Sequence, residues 1–197
     1  MRGKSLKFWK IEELSEVVEV LEDAFGDTIE KYKSGLTYND ILIRAYAYAI
    51  IVMKEIVCLL SNGFPDGALA RARRLYEQMV LIDYFESRKK DLDFDELVER
   101  YCDPYGRILY SRACISTHAG AMGDYALLGR FNPNGEKIYT GTTDSGFSLP
   151  LILATMSFYN ITNMVFGNLE IDFPKEHKKI EELLNYYQNT LFVTLEI

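Results

Sequence analysis

Apolar residues recur along most of this chain at intervals of three and four, the spacing that gathers them on one side of a helix. Between residues 10 and 34, Leu14, Val17, Val18, Leu21, Ala24, Phe25, Ile29 and Tyr32 form such a side, and acidic residues fill the other. Ser34-Gly35 supplies the flexible position that ends it. Thr37, with Asp40 three residues later, caps a second helix predicted over 38–61. There Ala45, Ala47, Ala49, Ile50, Ile51, Val52, Ile56, Val57, Leu59 and Leu60 leave little polar face, so a helix enclosed on all sides is expected. Glu55 is its exception and is expected to meet an arginine of the next helix. Ser61-Asn62-Gly63 is a turn, which makes helices two and three antiparallel neighbours.

The third helix opens with Pro65, whose missing N–H costs nothing in a first turn. Ala68, Leu69, Ala72, Leu75, Tyr76, Met79 and Val80 form its buried stripe, and it is predicted to end near Arg88-Lys89-Lys90. Arg73 and Arg74 sit four and three residues before Glu77, so each shares a helix face with it. Asp83 falls in the apolar sector, where a carboxylate needs a partner. Asp93 or Asp95 then starts a short helix to Tyr101, and Asp103-Pro104 opens a fifth that reaches Leu128. Residues 129–146 break the periodicity around Asn132-Pro133-Asn134-Gly135 and read as a long loop or small hairpin. A sixth helix is predicted over Phe147–Asn168, with Leu151, Ala154, Thr155, Phe158, Ile161, Thr162 and Val165 inward. Asp172 to Pro174 is read as the cap and first turn of a last helix to Leu195, with Ile180, Leu183, Leu184 and Tyr187 facing the core. The fold class is all-α, a bundle of six or seven helices in one domain over 1–197.

Gly63, Gly67, Ala68, Arg71, Leu75, Glu77 and Tyr84, together with Ser116 to Ala119 (STHA) and Gly141 to Leu149 (GTTDSGFSL), give the chain a resemblance to the DUF5677-like proteins. These are helical proteins whose function is not established. The segment between Lys90 and Tyr105 is shorter than that family's pattern and lacks its tryptophan, so part of a shared pocket would be altered. Arg112 and His118, in RACISTH, resemble the Arg-x(4–6)-His pattern of HEPN-domain ribonucleases, compact helical bundles that cleave RNA without metal at a dimer cleft. That resemblance implies Arg112 as the stabiliser of phosphate charge and His118 as the acid/base. Both roles suit the side chains, a fixed fork of donors and a proton carrier near neutrality. On one straight helix the two lie about 120° apart, so they meet only across a groove or a dimer axis.

Composition narrows the choices. With 48% hydrophobic residues the chain buries a core, and a net charge of −7 argues against DNA or an acidic membrane as partner. Arg44, Lys54 and Glu55 interrupt the apolar run Ile41–Leu60, which argues against a span there. Three widely spaced cysteines, Cys58, Cys102 and Cys114, make no disulfide framework or metal motif and fit a reducing cytoplasm. The two histidines, His118 and His177, form no H-E-x-x-H pair, and Glu55, Glu77 and Asp83 are no recognised ligand set, so no metal and no cofactor are expected. Candidate partners are a second copy of the chain, a small anionic ligand or RNA. The leading expectation is a binding or regulatory protein whose polar pocket gathers Arg71, Arg74, Glu77 and Asp83. One alternative is a metal-independent endoribonuclease using Arg112 and His118, and another is a structural or interaction protein without chemistry.

Overall fold

A computed structural model describes residues 9–29, 38–87 and 145–195, and in them the chain forms α1 (Ile11–Ile29), α2 (Tyr38–Ser61), α3 (Pro65–Ser87), α4 (Ser145–Asn168) and α5 (His177–Leu195). Each helix packs on the next in chain order, α5 returns to α1, and α2 meets α4 across the middle. The described residues therefore make an all-α bundle closed as a ring. Among the described residues five helices stand where six or seven were expected. Two of the expected helices, the short one to Tyr101 and the one opened by Asp103-Pro104 that reaches Leu128, are not among these five. Those segments, residues 129–144 of the loop or hairpin predicted over 129–146, and the end of the first predicted helix lie outside the described residues, whereas Ser145 and Gly146 already belong to α4.

Contacts give the directions. Lys54 pairs with Glu22, and Tyr46 packs edge-on against Phe25, so α1 and α2 are antiparallel. Arg71 meets Glu55 and Gln78 meets Ala45, so α2 and α3 are antiparallel as their short turn requires. Gly63 makes that turn at φ 80°, with Gly63 N–H donating to Leu60 O (2.9 Å) and Phe64 N–H to Leu59 O (2.8 Å). This pair of bonds is a Schellman cap, and its left-handed position suits glycine. Glu170 holds the equivalent conformation after α4 (φ 52°), with Ile171 N–H donating to Phe166 O at 2.9 Å. The last helix starts later than the Asp172–Pro174 signal suggested. Pro174 instead closes a turn by accepting from His177 N–H at 3.0 Å, and α5 begins at His177.

The most enclosed helix is α4, buried on every side from Leu151 to Thr155 and exposed at Asn160 and in its last turn. Leu151, Ile152, Leu153, Ala154, Thr155, Ser157, Phe158, Ile161, Thr162, Val165 and Phe166 are all buried. Among the described residues α4 is the one helix long and apolar enough to cross a membrane, and 67% of that apolar window is buried inside the bundle. Two of its buried hydroxyls are consumed locally, and Thr155 Oγ1 is enclosed without a partner. Ser157 donates to Leu153 O (2.7 Å), and Thr162 donates to Phe158 O (2.8 Å). Because Thr162 spends its one proton there, the buried Tyr46 hydroxyl must be the donor in their 3.1 Å contact. Burial pushes the Tyr46 phenol well above its usual range. Its ring also stacks on Phe158 and meets Phe166 edge-on. Tyr46 thus ties α1, α2 and α4 together at one level.

Candidate functional site: the outer face of the α2–α3 hairpin

Helix α2 carries two seams rather than one. Leu42, Tyr46, Ala49, Met53, Ile56 and Leu60, at alternating spacings of four and three, are at most 1% exposed and face the core. Ile41, Arg44, Tyr48, Ile51, Glu55 and Cys58, at alternating spacings of three and four, line the opposite side. Of these, Ile41 (49%), Tyr48 (41%) and Ile51 (55%) are exposed apolar side chains, and Arg44 and Cys58 are exposed as well. The expectation of an all-round buried α2 is therefore corrected. The ring gives α2 three neighbours, α1, α3 and α4, and these cover only its inner half. The outer seam is a second heptad-spaced line in the sequence, but apolar residues on every side of α2, Ile51 among them, read there as one core.

On the α3 side, Glu55 meets Arg71 as expected, with Arg71 Nε 3.0 Å from Glu55 Oε2. That oxygen is enclosed and no aligned hydrogen bond reaches it, so the contact is ionic and leaves the carboxylate with acceptor capacity. Both side chains are about two-fifths exposed, which limits the pair to a modest contribution. Arg73 Nε donates to Glu77 Oε1 at 2.8 Å, the expected i,i+4 pair. Arg74 is exposed. Gln78 Nε2 donates to the Ala45 carbonyl at 2.6 Å, which orients the amide and leaves its Oε1 buried without a donor. Asp83 is partly buried and engaged, twelve residues beyond Arg71, or about 18 Å along the helix axis. Arg112 and His118 lie outside the described residues, as do Cys102 and Cys114.

A second polar feature escaped the sequence reading. His177 lies between Tyr159 (5.2 Å between centroids, stacked) and Phe173 (4.5 Å), at the start of α5. Its Nε2 is enclosed without a hydrogen bond. Burial lowers its pKa, and Glu181 acts in the opposite sense. Among the described residues no group of three or more His, Cys, Asp or Glu gathers to hold a metal ion.

Residues 39–106 match the model of a family of unknown function, DUF5677. The match takes in nearly all of α2 and the whole of α3, about one third of the chain. The hairpin thus lies within the matched stretch, which runs on to residue 106. Nothing in the match links it to the HEPN ribonucleases. No curated protein and no solved structure matches the chain.

Proposed function

We propose that this chain is a non-catalytic interaction protein and that the outer face of its α2–α3 hairpin is the working surface. The observation that carries this reading is where the exposed apolar side chains lie. Among the described residues six large ones are exposed, and five of them, Ile41, Tyr48, Ile51, Phe64 and Leu81, sit on the hairpin. Scattered single hydrophobics need no explanation, but several aligned on one helix mark a surface that excludes water when it works. The pocket for a small anion at Arg71, Arg74, Glu77 and Asp83 is the reading this displaces. Arg71 and Arg73 already face carboxylates of the same chain, so an anion must compete with Glu55 and Glu77.

The test is a photo-reactive amino acid at Ile51 or Tyr48, in the cell that makes the protein, beside a control at the exposed Glu182 of α5. Discrete protein adducts from positions 48 and 51, with none from 182, are expected. No adduct from the α2 positions overturns the reading. RNA cleavage by the wild type in EDTA, lost in folded His118→Ala and Arg112→Ala variants, would move the function to the ribonuclease alternative.

A further inference from the structure

The outer seam of α2 sets opposite charges, Arg44 and Glu55, at mirrored positions, and that complementarity selects what covers it. Ile41, Arg44, Tyr48, Ile51, Glu55 and Cys58 are spaced three, four, three, four and three, the a/d repeat of a coiled-coil seam. The six positions are also symmetric about the point midway between Ala49 and Ile50. We infer that the occupant is a second copy of this chain, whose α2 pairs antiparallel with the first about a two-fold axis at that midpoint. This rests on the reading of the outer face as the working surface.

In that register Tyr48 lies beside Ile51 of the other copy, Ile41 beside Cys58, and Arg44 beside Glu55, each twice. A two-fold interface must be self-complementary in this sense, with i meeting j and j meeting i. The centre is apolar and the charges of opposite sign stand outside it, the usual arrangement of a buried core with a polar rim. Glu55 keeps its contact with Arg71 and has acceptor capacity for a second guanidinium. Ala45 and Ala47 flank the seam and let the two helices approach. A parallel pairing of the same faces sets Arg44 against Arg44 and Glu55 against Glu55, and like charges at an interface select against it. The charge pattern therefore fixes the direction, and the apolar residues supply the contact.

The experiment is disulfide trapping with Ile41→Cys, an exposed position, alongside the native Cys58. Along one helix the two residues are about 26 Å apart, so no 41–58 bond forms within a chain. Under mild oxidation the account expects a covalent dimer whose cross-linked peptides join residue 41 of one copy to residue 58 of the other. The wild type should give no 58–58 link, because antiparallel pairing holds the two Cys58 residues at opposite ends of the seam. Ile51→Asp in the Ile41→Cys background should reduce the trapped dimer about tenfold or more. A 58–58 link in the wild type, or an Ile41→Cys protein that stays uncross-linked, overturns the inference. The cellular adducts at position 51 separate the two levels. Adducts of another protein's mass without the 41–58 bond leave the working surface standing and reject self-pairing, whereas no adduct at all rejects both.

Discussion

Helices α2 and α4 have the same length, 24 residues, and both are dominated by apolar residues, yet the bundle uses them in opposite ways. α4 is packed by α2, α3 and α5 and is buried on every side from Leu151 to Thr155, with Asn160 and its last turn exposed. α2 is buried along one heptad line and bare along the other. The difference is one of position in the ring and of charge, since α2 carries Asp40, Arg44, Lys54 and Glu55 and α4 carries no charged residue. An apolar helix at the middle of a bundle needs no further partner, and an apolar helix at its rim has a face left over. That leftover face is the argument for function here.

The comparison predicts unequal costs. Phe158→Ala, in the centre of α4, should destabilise the protein by about 3–5 kcal/mol in a denaturation titration, because it opens a cavity among rings that cannot collapse. A much smaller loss would mean that α4 is not the packing centre. Thr162→Val should cost about 1–3 kcal/mol, since it leaves the enclosed Tyr46 hydroxyl with no acceptor. Tyr46→Phe should cost less, about 0.5–1.5 kcal/mol, because Thr162 keeps its bond to Phe158 O. Equal losses would contradict the direction assigned to that hydrogen bond. At the hairpin turn, Gly63→Ala should cost about 1–2 kcal/mol, for its φ of 80° is unfavourable to any side chain. Gly67→Ala should instead stabilise by about 0.4–1 kcal/mol, as its new Cβ meets only the Leu59 side chain, at 3.4 Å and beyond.

The smallest effect concerns the α4–α5 corner. The folded protein holds His177 below its ordinary pKa, so the unfolded chain takes up a proton first as the pH falls. Stability should decline from near neutrality through pH 6.5 toward the folded value and level off below it. Comparing denaturation midpoints for the wild type and His177→Gln across that range isolates the contribution. Identical slopes would show that the stacked imidazole is not the titrating group.

Much of this was written in the pattern. The stripes of α1, α3 and α4, the turn at Ser61-Asn62-Gly63, and the Glu55–Arg71 and Arg73–Glu77 pairs follow from three- and four-residue spacing and from glycine's conformational freedom. Enclosure was the part misread, although the charges carried it: Arg44, Lys54 and Glu55 mark α2 as the helix with an open side, and α4 has no charged residue. The two seams of α2 needed the ring of neighbours before they could be told apart. His177 was opaque for a related reason. Its neighbours Tyr159 and Phe173 lie 18 and 4 residues away in sequence, and only the α4–α5 turn makes them a stack.

The central claim is that the outer seam of α2 is built for a second copy and contributes little to the fold of the first. Sedimentation equilibrium of the wild type beside Ile51→Asp tests it most directly, with denaturation of both proteins at high dilution. The account predicts a reversible dimer for the wild type and a monomer for the variant, with unfolding midpoints within about 0.5 kcal/mol of each other, as expected of an exposed site. A wild type that stays monomeric across the concentration range, or a variant that dimerises as strongly, would contradict it.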